Sequence, residues 1–522
     1  MPVSKSLAER IVESCTQSPQ RTLLRDGIGS QTGEQLLGRI RAIEAVVRQI
    51  APDGGRIGVL FFNSVSRAVA VLATIVAGRV PVILDAGESL PRCPIQSGLL
   101  KLNGLLTSAT DFSDIPRFTS TVFLDSTAQI VRSEIEAAPV VNQPPAAGTA
   151  LILHTSGSTG NRKGVQVPER GILYTVDHLI PYFQLGPASK ALVVLPISHS
   201  MGLNTQFLPT FLAGGECHFV EANLSLNRCY RTLLASEATF VSLIGELLRI
   251  CAEERRKRNL PPATHVKHAQ LAGGTIRAEH LRMAAELFPN AVLHKGYGLT
   301  EAIRVSMIAS DDPAFLRDSA GYVLPGQEVC VRTPAGEPAA EGVAGQICVR
   351  GPNVMLGYDR SEEPSPIRDG WLTTGDLGHF EGGRLVIQGR GDSIFKVAGD
   401  WVSAVEIERV VSETASGVRD VKVVPVPDSK LGNRVVLFLE VGEEEKTAFL
   451  SSGKTYFEAS LRSRLPRVSL PREVIILDKF PRLGNGKLKN QALAHFLQTH
   501  GETESGGQTG FRYRIMSGEL LN

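Results

Sequence analysis

The sequence predicts an α/β protein, with a large N-terminal domain of parallel and mixed sheets flanked by helices and a small α+β C-terminal domain. Strand and helix signals alternate near the N-terminus, the rhythm of parallel strands joined by crossover helices. From about 320 to 389 the texture changes to short strands and Gly turns. A second small, mixed unit follows the run Gly389-Arg-Gly-Asp392.

In chain order, Thr32 and Gln35 form a capping box ahead of Leu36, Leu37, Ile40, Ile43, Val46, Val47 and Ile50 at helical spacing. Ile57–Phe62 is a strand, Val65–Ala77 a helix ended by Gly78, and Val80–Leu84 a strand. Residues 135–149 have linker composition. Ala150–Leu153 is an apolar strand, and Val165–Pro168 reads as extended chain. The charge run Glu253–Arg258 is a solvated helix end. Gly345–Gly351 and Leu385–Gln388 are strands. The expected divisions are a large domain over 1–389, a hinge at 390–392, a small domain over 393–500 and a flexible tail over 501–522. Within that tail, 501–509 reads as a linker and 511–521 as a short amphipathic segment.

Composition narrows the function classes. Apolar residues make up 43%, enough for a large core, and 55 basic against 53 acidic residues leave a net charge of +2. That balance gives no field for nucleic acid or membrane. Seven scattered cysteines, with no C-x-x-C, suit a reducing compartment and argue against a disulfide framework or zinc site. No apolar leader is expected at the N-terminus. The apolar stretch Val65–Leu84 is broken by Arg67, Gly78, Arg79 and Pro81, so no membrane span is expected. The expected location is the cytoplasm.

The run His154-Thr-Ser-Gly-Ser-Thr-Gly-Asn-Arg-Lys-Gly164 holds four hydroxyl residues, three glycines and two cations. Glycines let backbone N–H groups converge on phosphate oxygens, hydroxyls add donors, and Lys163 adds a point charge. It is not a Walker A loop: the spacing from Gly157 to Lys163 differs, and no Ser or Thr follows the lysine. It reads as a phosphate loop between two strands.

With its partners downstream, this run resembles the phosphate loop of the adenylate-forming (AMP-binding) enzyme superfamily, in its acyl-CoA ligase-like branch. The resemblance covers about 60–500 and implies that Thr155, Ser156, Gly157, Ser158, Thr159, Gly160 and Lys163 hold the phosphates of ATP. Gly296-Tyr-Gly-Leu-Thr-Glu301 resembles the family's Y-G-x-T-E element. It implies Tyr297 and Gly298 beside the adenine, Thr300 on the α-phosphate, and Glu301, with Thr155, on Mg²⁺. Trp371-Leu-Thr-Thr-Gly-Asp376 resembles W-x-x-T-G-D, implying that Asp376 accepts both ribose hydroxyls. Arg390 and Asp392 match the hinge G-R-x-D: Arg390 would bind ribose or phosphate, and Asp392 would absorb rotation between two states. Lys396-Val-Ala-Gly399 resembles K-x-x-G, which faces the active site in the thioester-forming state. Trp401 stands where many relatives carry Arg, Gln or Asn, so acceptor binding differs. Pro481-Arg-Leu-Gly-Asn-Gly-Lys487 resembles P-R-x-x-x-G-K, implying that Lys487 reaches between carboxylate and α-phosphate. Leu195-Pro-Ile-Ser-His199 with Gly202 resembles L-P-x-x-H-x-x-G, placing His199 at the acyl site.

The resemblance implies ATP-dependent activation of a carboxylic acid as acyl-AMP with release of pyrophosphate, then transfer to CoA. A separate carrier protein or an amine are the alternative acceptors. Amino-acid-activating relatives place an Asp near His199, and Ser198-His-Ser200 offers none, so the acid lacks an α-ammonium group: aliphatic, aryl or polyketide-like. Its pocket walls are His199, Met201, Gly202, Ser242, Leu243, Gly273, Gly274 and Tyr297, with Gly273 and Gly274 also bordering the nucleotide. A non-catalytic nucleotide-binding protein would be expected to lose Lys487, Glu301 or Asp376, and all three are present. A luciferase-like oxidation of the adenylate remains a further chemistry open to this chassis.

Overall fold

The computed structural model describes residues 5–85, 102–108, 120–135, 145–155, 163–220, 228–274, 276, 278–333, 335–359, 364–415, 417–449, 454–482, 488, 492–493, 496–497 and 512–516. The chain divides into two compact units. One comprises 1–329, 348–374 and 383–385; the other comprises 330–347, 375–382 and 386–522. The sequence puts one boundary at 389–392. The second unit takes in two earlier segments, 330–347 and 375–382, together with the chain from 386.

In the first unit, local signals and long-range pairing agree. Thr32 Oγ1 accepts from the Gln35 amide at 3.3 Å, and Gln35 Oε1 accepts from the Thr32 amide at 3.0 Å, so the capping box opens helix Gly33–Ile50. Its Leu36, Ile40, Ile43, Val47 and Ile50 face inward. Strands Arg56–Phe61 and Val80–Asp85 pair in parallel, joined by helix Val65–Val76. Every residue of that helix is buried, Arg67 included, whose Nη2 donates to the Leu84 carbonyl at 3.3 Å.

Two large sheets organise this unit. The eight-stranded sheet runs, in order, Gly357–Asp359, Lys163–Pro168, Thr149–Thr155, Val80–Asp85, Arg56–Phe61, Gly104–Ser108, Ser120–Leu124 and Ile130–Ile135. Its centre is parallel and its ends are antiparallel. In the nine-stranded sheet, Val292–Leu299, His268–Leu271, Phe240–Leu243, Lys190–Val193, Glu216–Phe219 and Thr22–Arg25 run parallel. Ala302–Ala309 and Tyr322–Val323 extend it antiparallel at one end. Leu192, Val241, Leu243, Ala269 and Leu271 share a core with Leu247, Leu248 and Cys251 of helix Gly245–Arg258. That helix ends in the charge run, and Arg256, Lys257 and Arg258 are exposed as expected. Glu254 departs from that expectation: it is buried and pairs with Arg231 at 2.7 Å.

The second unit contains a four-stranded sheet of Val418–Asp428, Gly432–Val441, Glu473–Leu477 and Arg512–Met516. Helices Ala404–Thr414 and Lys454–Arg464 pack on it through a core including Ile407, Val421, Leu437, Leu439, Phe457, Leu461 and Ile476. Within the expected flexible tail over 501–522, residues Arg512–Met516 form the last strand. Arg512–Met516 pairs in parallel with Glu473–Leu477, Tyr513 packs against the core, and Arg514 Nη1 donates to Glu473 Oε1 at 3.2 Å. An otherwise open strand edge gains its hydrogen bonds there. The linker readings at 135–149 and 501–509 fall largely or wholly outside the described residues.

No helix of the described residues is long and apolar enough to cross a membrane. The described cysteines 15, 217, 229, 251, 330 and 348 are free thiols.

Burial sets an acid limit on stability. His294 is buried beside His268 and Arg304, and its imidazole is pushed down from 6.5 to about 3, first by desolvation. The unfolded chain takes up a proton that the fold refuses, so stability is lost as pH falls from about 6.5 towards 3. In urea titrations between those values, His294→Gln should show a shallower acid slope than the unaltered protein. Removing residues 512–522 should lower the stability of the second unit by about 1–3 kcal/mol, read from its urea midpoint.

Candidate functional site

The phosphate-loop flanks form the strand pair expected. Thr149–Thr155 and Lys163–Pro168 are antiparallel, with Thr155 opposite Lys163 at the mouth. Ser156, Gly157, Ser158, Thr159 and Gly160 lie outside the described residues, as does Lys487. Thr155 Oγ1 approaches the Lys163 carbonyl at 3.5 Å. The Lys163 ammonium lies 5.0 Å from the centroid of the Tyr358 ring. The Tyr358 hydroxyl donates to Glu301 Oε1 at 3.0 Å. Thr155, Lys163, Tyr358 and Glu301 therefore form one continuous chain of contacts.

Thr300 and Glu301 occupy the turn between strands Val292–Leu299 and Ala302–Ala309. Close backbone packing explains the glycines before them. A Cβ on Gly298 would lie 2.7 Å from the Arg304 amide nitrogen, and one on Gly296 would meet the Ser306 carbonyl. The pairing slips between Tyr297 and Leu299, a bulge that sets Tyr297 opposite Ser306 and Leu299 opposite Ala302. The turn is anchored from outside: the Met355 amide donates to the Glu301 carbonyl at 2.8 Å, and the Ile303 amide to the Asn353 carbonyl at 3.2 Å. Buried Asn353 Nδ2 donates to the Ile303 carbonyl at 2.9 Å and to Gln327 Oε1 at 2.7 Å. Gly357–Asp359 then pairs with Lys163–Pro168, and Asp359 makes a buried ion pair with Arg56 at 2.6 Å. Tyr358 is the functional candidate that sequence reasoning missed. Its signal is the tyrosine of Met355-Leu-Gly-Tyr358, whose role depends on non-local pairing.

His199 is half-buried and stands before the short helix Ser200–Gly202, which continues into a π-turn over Leu203–Phe207. Buried Asn63 holds that approach, donating to the Val193 and Val220 carbonyls at 3.1 and 3.2 Å and accepting from the Ile197 amide at 3.2 Å. Gly273 and Gly274 are exposed. A Cβ on Gly273 would lie 2.7 Å from Ile244 Cγ2 and 3.9 Å from Met201 Sδ, which joins three proposed pocket segments.

The remaining candidates belong to the second unit. Asp376 is buried in strand Trp371–Glu381, and its carbonyl accepts from Gln346 Nε2 at 2.9 Å. Arg390 ends strand Arg384–Arg390 with its guanidinium against Gly375, next to Asp376 in sequence. Asp392 lies in the 3₁₀ turn Gly391–Ser393. Lys396 is exposed on a hairpin, opposite Trp401, whose turn residues Ala398 and Gly399 have φ of 52° and 93°. Positive φ at both positions is the signature of a type I′ turn.

Residues 11–359 match the AMP-binding enzyme family, and residues 406–487 match the AMP-binding enzyme C-terminal domain. The chain belongs to the AMP-binding enzyme family. It is similar to an indoleacetate–CoA ligase of Aromatoleum aromaticum, 29% identical over 65% of this chain and 65% of the relative. It also resembles a 2-succinylbenzoate–CoA ligase of Arabidopsis thaliana, 26% identical over 90% of this chain and 94% of the relative. Its fold matches ATP-bound MatB from Rhodopseudomonas palustris with a TM-score of 0.80, at 22% identity over 95% of this chain and 100% of that one. It also matches the amide bond synthetase McbA from Marinactinospora thermotolerans with a TM-score of 0.79, at 23% identity over 94% and 99%. The fold expected from the sequence is the fold observed.

Tyr358→Phe keeps the ring beside Lys163 and removes the hydroxyl on Glu301. It should slow pyrophosphate release about tenfold, the worth of one hydrogen bond to a charged group, with little change in thermal unfolding.

Proposed function

We propose that this chain activates a carboxylic acid with ATP as an acyl-adenylate and passes the acyl group to the thiol of CoA. The carrying observation is the contact chain from Thr155 and Lys163 through Tyr358 to Glu301, which links two separated family motifs in one unit. An acid oxygen attacks the α-phosphorus, the bond to the bridging oxygen of the β-phosphate breaks, and pyrophosphate leaves with the electron pair. The thiolate then attacks the acyl carbon and AMP departs. Such displacements need positioning and charge stabilisation rather than a covalent acyl-enzyme.

The residues divide that work. Thr155, the hydroxyls and amides of 156–160, and Lys163 hold the phosphates. Thr300 contacts the α-phosphate, Tyr297 and Gly298 border the adenine, and Asp376 and Arg390 take the ribose and its phosphate. Lys487 bridges the acid and the α-phosphate, and His199 closes the acyl site. Asp392 is the hinge, with Lys396 and Gly399 serving the second step. Magnesium suits this arrangement. Among the described residues no cluster of three or more His, Cys, Asp or Glu side chains could cage a metal, whereas the Glu301 carboxylate is held in place by Tyr358. One protein carboxylate is the usual donor set for an ion that takes its other ligands from phosphates and water. Bound by Glu301, with Thr155 beside it, magnesium would neutralise phosphate charge.

Trp401, in place of the Arg, Gln or Asn of many relatives, supports an amine acceptor as the second reading. The test is pyrophosphate release over a panel of acids, each with CoA or with amines, followed by mass spectrometry. An acyl-CoA product supports the proposal; an amide formed in preference to the thioester replaces CoA with an amine. Lys487→Ala should reduce acid-dependent pyrophosphate release by roughly a hundredfold or more, and an unchanged rate would remove that lysine from the mechanism.

A further inference from the structure

Arg304 is 4% exposed, and among the described residues its Nε has no hydrogen-bond partner. Among the described residues no carboxylate pairs with it. The groups facing it are Tyr182 and His294. Neither supplies negative charge at neutral pH: burial pushes the Tyr182 phenol up to about 12 and His294 down to about 3. Arg304 itself is lowered to about 10 by burial and stays charged. An uncompensated buried cation is costly unless something pairs with it. The backbone carries a second cost, because Arg304 has φ of 47° within strand Ala302–Ala309.

Its surroundings point to a ligand. Arg304 lies within the bulge opposite Gly298, and a Cβ on Gly296 would come within 2.9 Å of Arg304 Nη1. The guanidinium therefore fills the space left open by the first glycine of the Tyr297–Glu301 element. On the adjoining strands, Ser242, Gln270 and His294 stand in register, and among the described residues Ser242 Oγ, Gln270 Oε1 and His294 Nδ1 are each buried without a partner. Gln270 Nε2 donates to Thr205 Oγ1 at 3.1 Å, and Thr205 Oγ1 to the Met201 carbonyl at 2.8 Å, tying this row to the segment that follows His199. His294, at the end of that row, feels the charge of Arg304; buried polar atoms normally have partners, so a row of unpaired ones that ends at a cation points to polar ligand atoms.

We propose that Arg304 is the counter-ion for a second oxyanion on the acid, so that the substrate class is a carboxylic acid carrying a distal carboxylate or sulfonate. Ser242, Gln270 and His294 complete the polar end of that pocket. This inference rests on the adenylation reading and narrows it: a purely aliphatic or aryl monoacid would leave the guanidinium unpaired.

The test uses the full chain, ATP and magnesium, with paired acids: dicarboxylic acids of graded length against their monomethyl esters, and sulfo-acids against their methyl sulfones. The unaltered protein should favour the doubly acidic member by about tenfold to a hundredfold in kcat/KM, the range for a charged hydrogen-bonded pair. Arg304→Met should abolish that preference, and Arg304→Lys should keep part of it. Whichever pair shows the larger gap identifies carboxylate or sulfonate. Without acid, Arg304→Met should unfold at a higher temperature than the unaltered protein, since it removes an unpaired buried charge. Preference for the monoacid members, or an unchanged preference in Arg304→Met, would overturn the inference. Loss of stability in Arg304→Met with the preference intact would make the arginine structural. Pyrophosphate release from monoacids alone would overturn the inference while sparing the adenylation reading. ATP binding with no release from any acid would overturn both.

Discussion

The candidate site depends on one short stretch, residues 353–359, that joins the two large sheets of the first unit. At one end, Asn353 and Met355 bond to the backbone of Ile303 and Glu301 beside the nine-stranded sheet. At the other, Gly357–Asp359 forms the edge of the eight-stranded sheet against Lys163–Pro168. The Arg56–Asp359 ion pair, with both side chains 6% exposed, holds that edge. Tyr358 lies midway, with its ring beside Lys163 and its hydroxyl on Glu301. The carboxylate and the loop cation thus derive their mutual placement from main-chain pairing, which is stiffer than any contact between two long side chains.

Around that frame, stability yields to function at a few residues. Gly296 and Gly298 permit an approach of strands that no side chain would allow, and the bulge they create carries Thr300 and Glu301 at its tip. The same bulge holds Arg304 in a left-handed conformation, buried among neutral groups. Strain and an unpaired charge at one residue run against the local consistency of the rest of the unit, where caps, burial and pairing agree. Such departures are expected where a chain binds a ligand.

Much of the fold was legible because its signals are local. The Thr32–Gln35 capping box, the apolar helix Val65–Val76 between two short strands, and the strands flanking the loop all follow from neighbouring residues. The glycine-flanked Tyr297–Glu301 turn was equally readable as a motif. What stayed hidden rests on partners distant in sequence. Arg512–Met516 looks like the end of a tail until Glu473–Leu477 offers it an edge. Tyr358 looks like an ordinary turn tyrosine until its strand meets Lys163–Pro168. Arg304 sits between apolar residues in a run that reads as a plain strand, and only its burial with no counter-charge among the described residues singles it out. The division of the chain was blurred for the same reason, since 330–347 and 375–382 join the second unit by contacts rather than by sequence order.

Formation of a free acyl-adenylate is read most simply from exchange of labelled pyrophosphate into ATP with no acceptor present. Label should enter ATP only when magnesium and a suitable acid are both supplied, because the acyl-adenylate forms reversibly before any thiol or amine is needed. ATP that binds yet takes up no label, with acids that nonetheless yield acyl product in a complete mixture, would contradict it. The chain would then activate its acid by some route other than an adenylate.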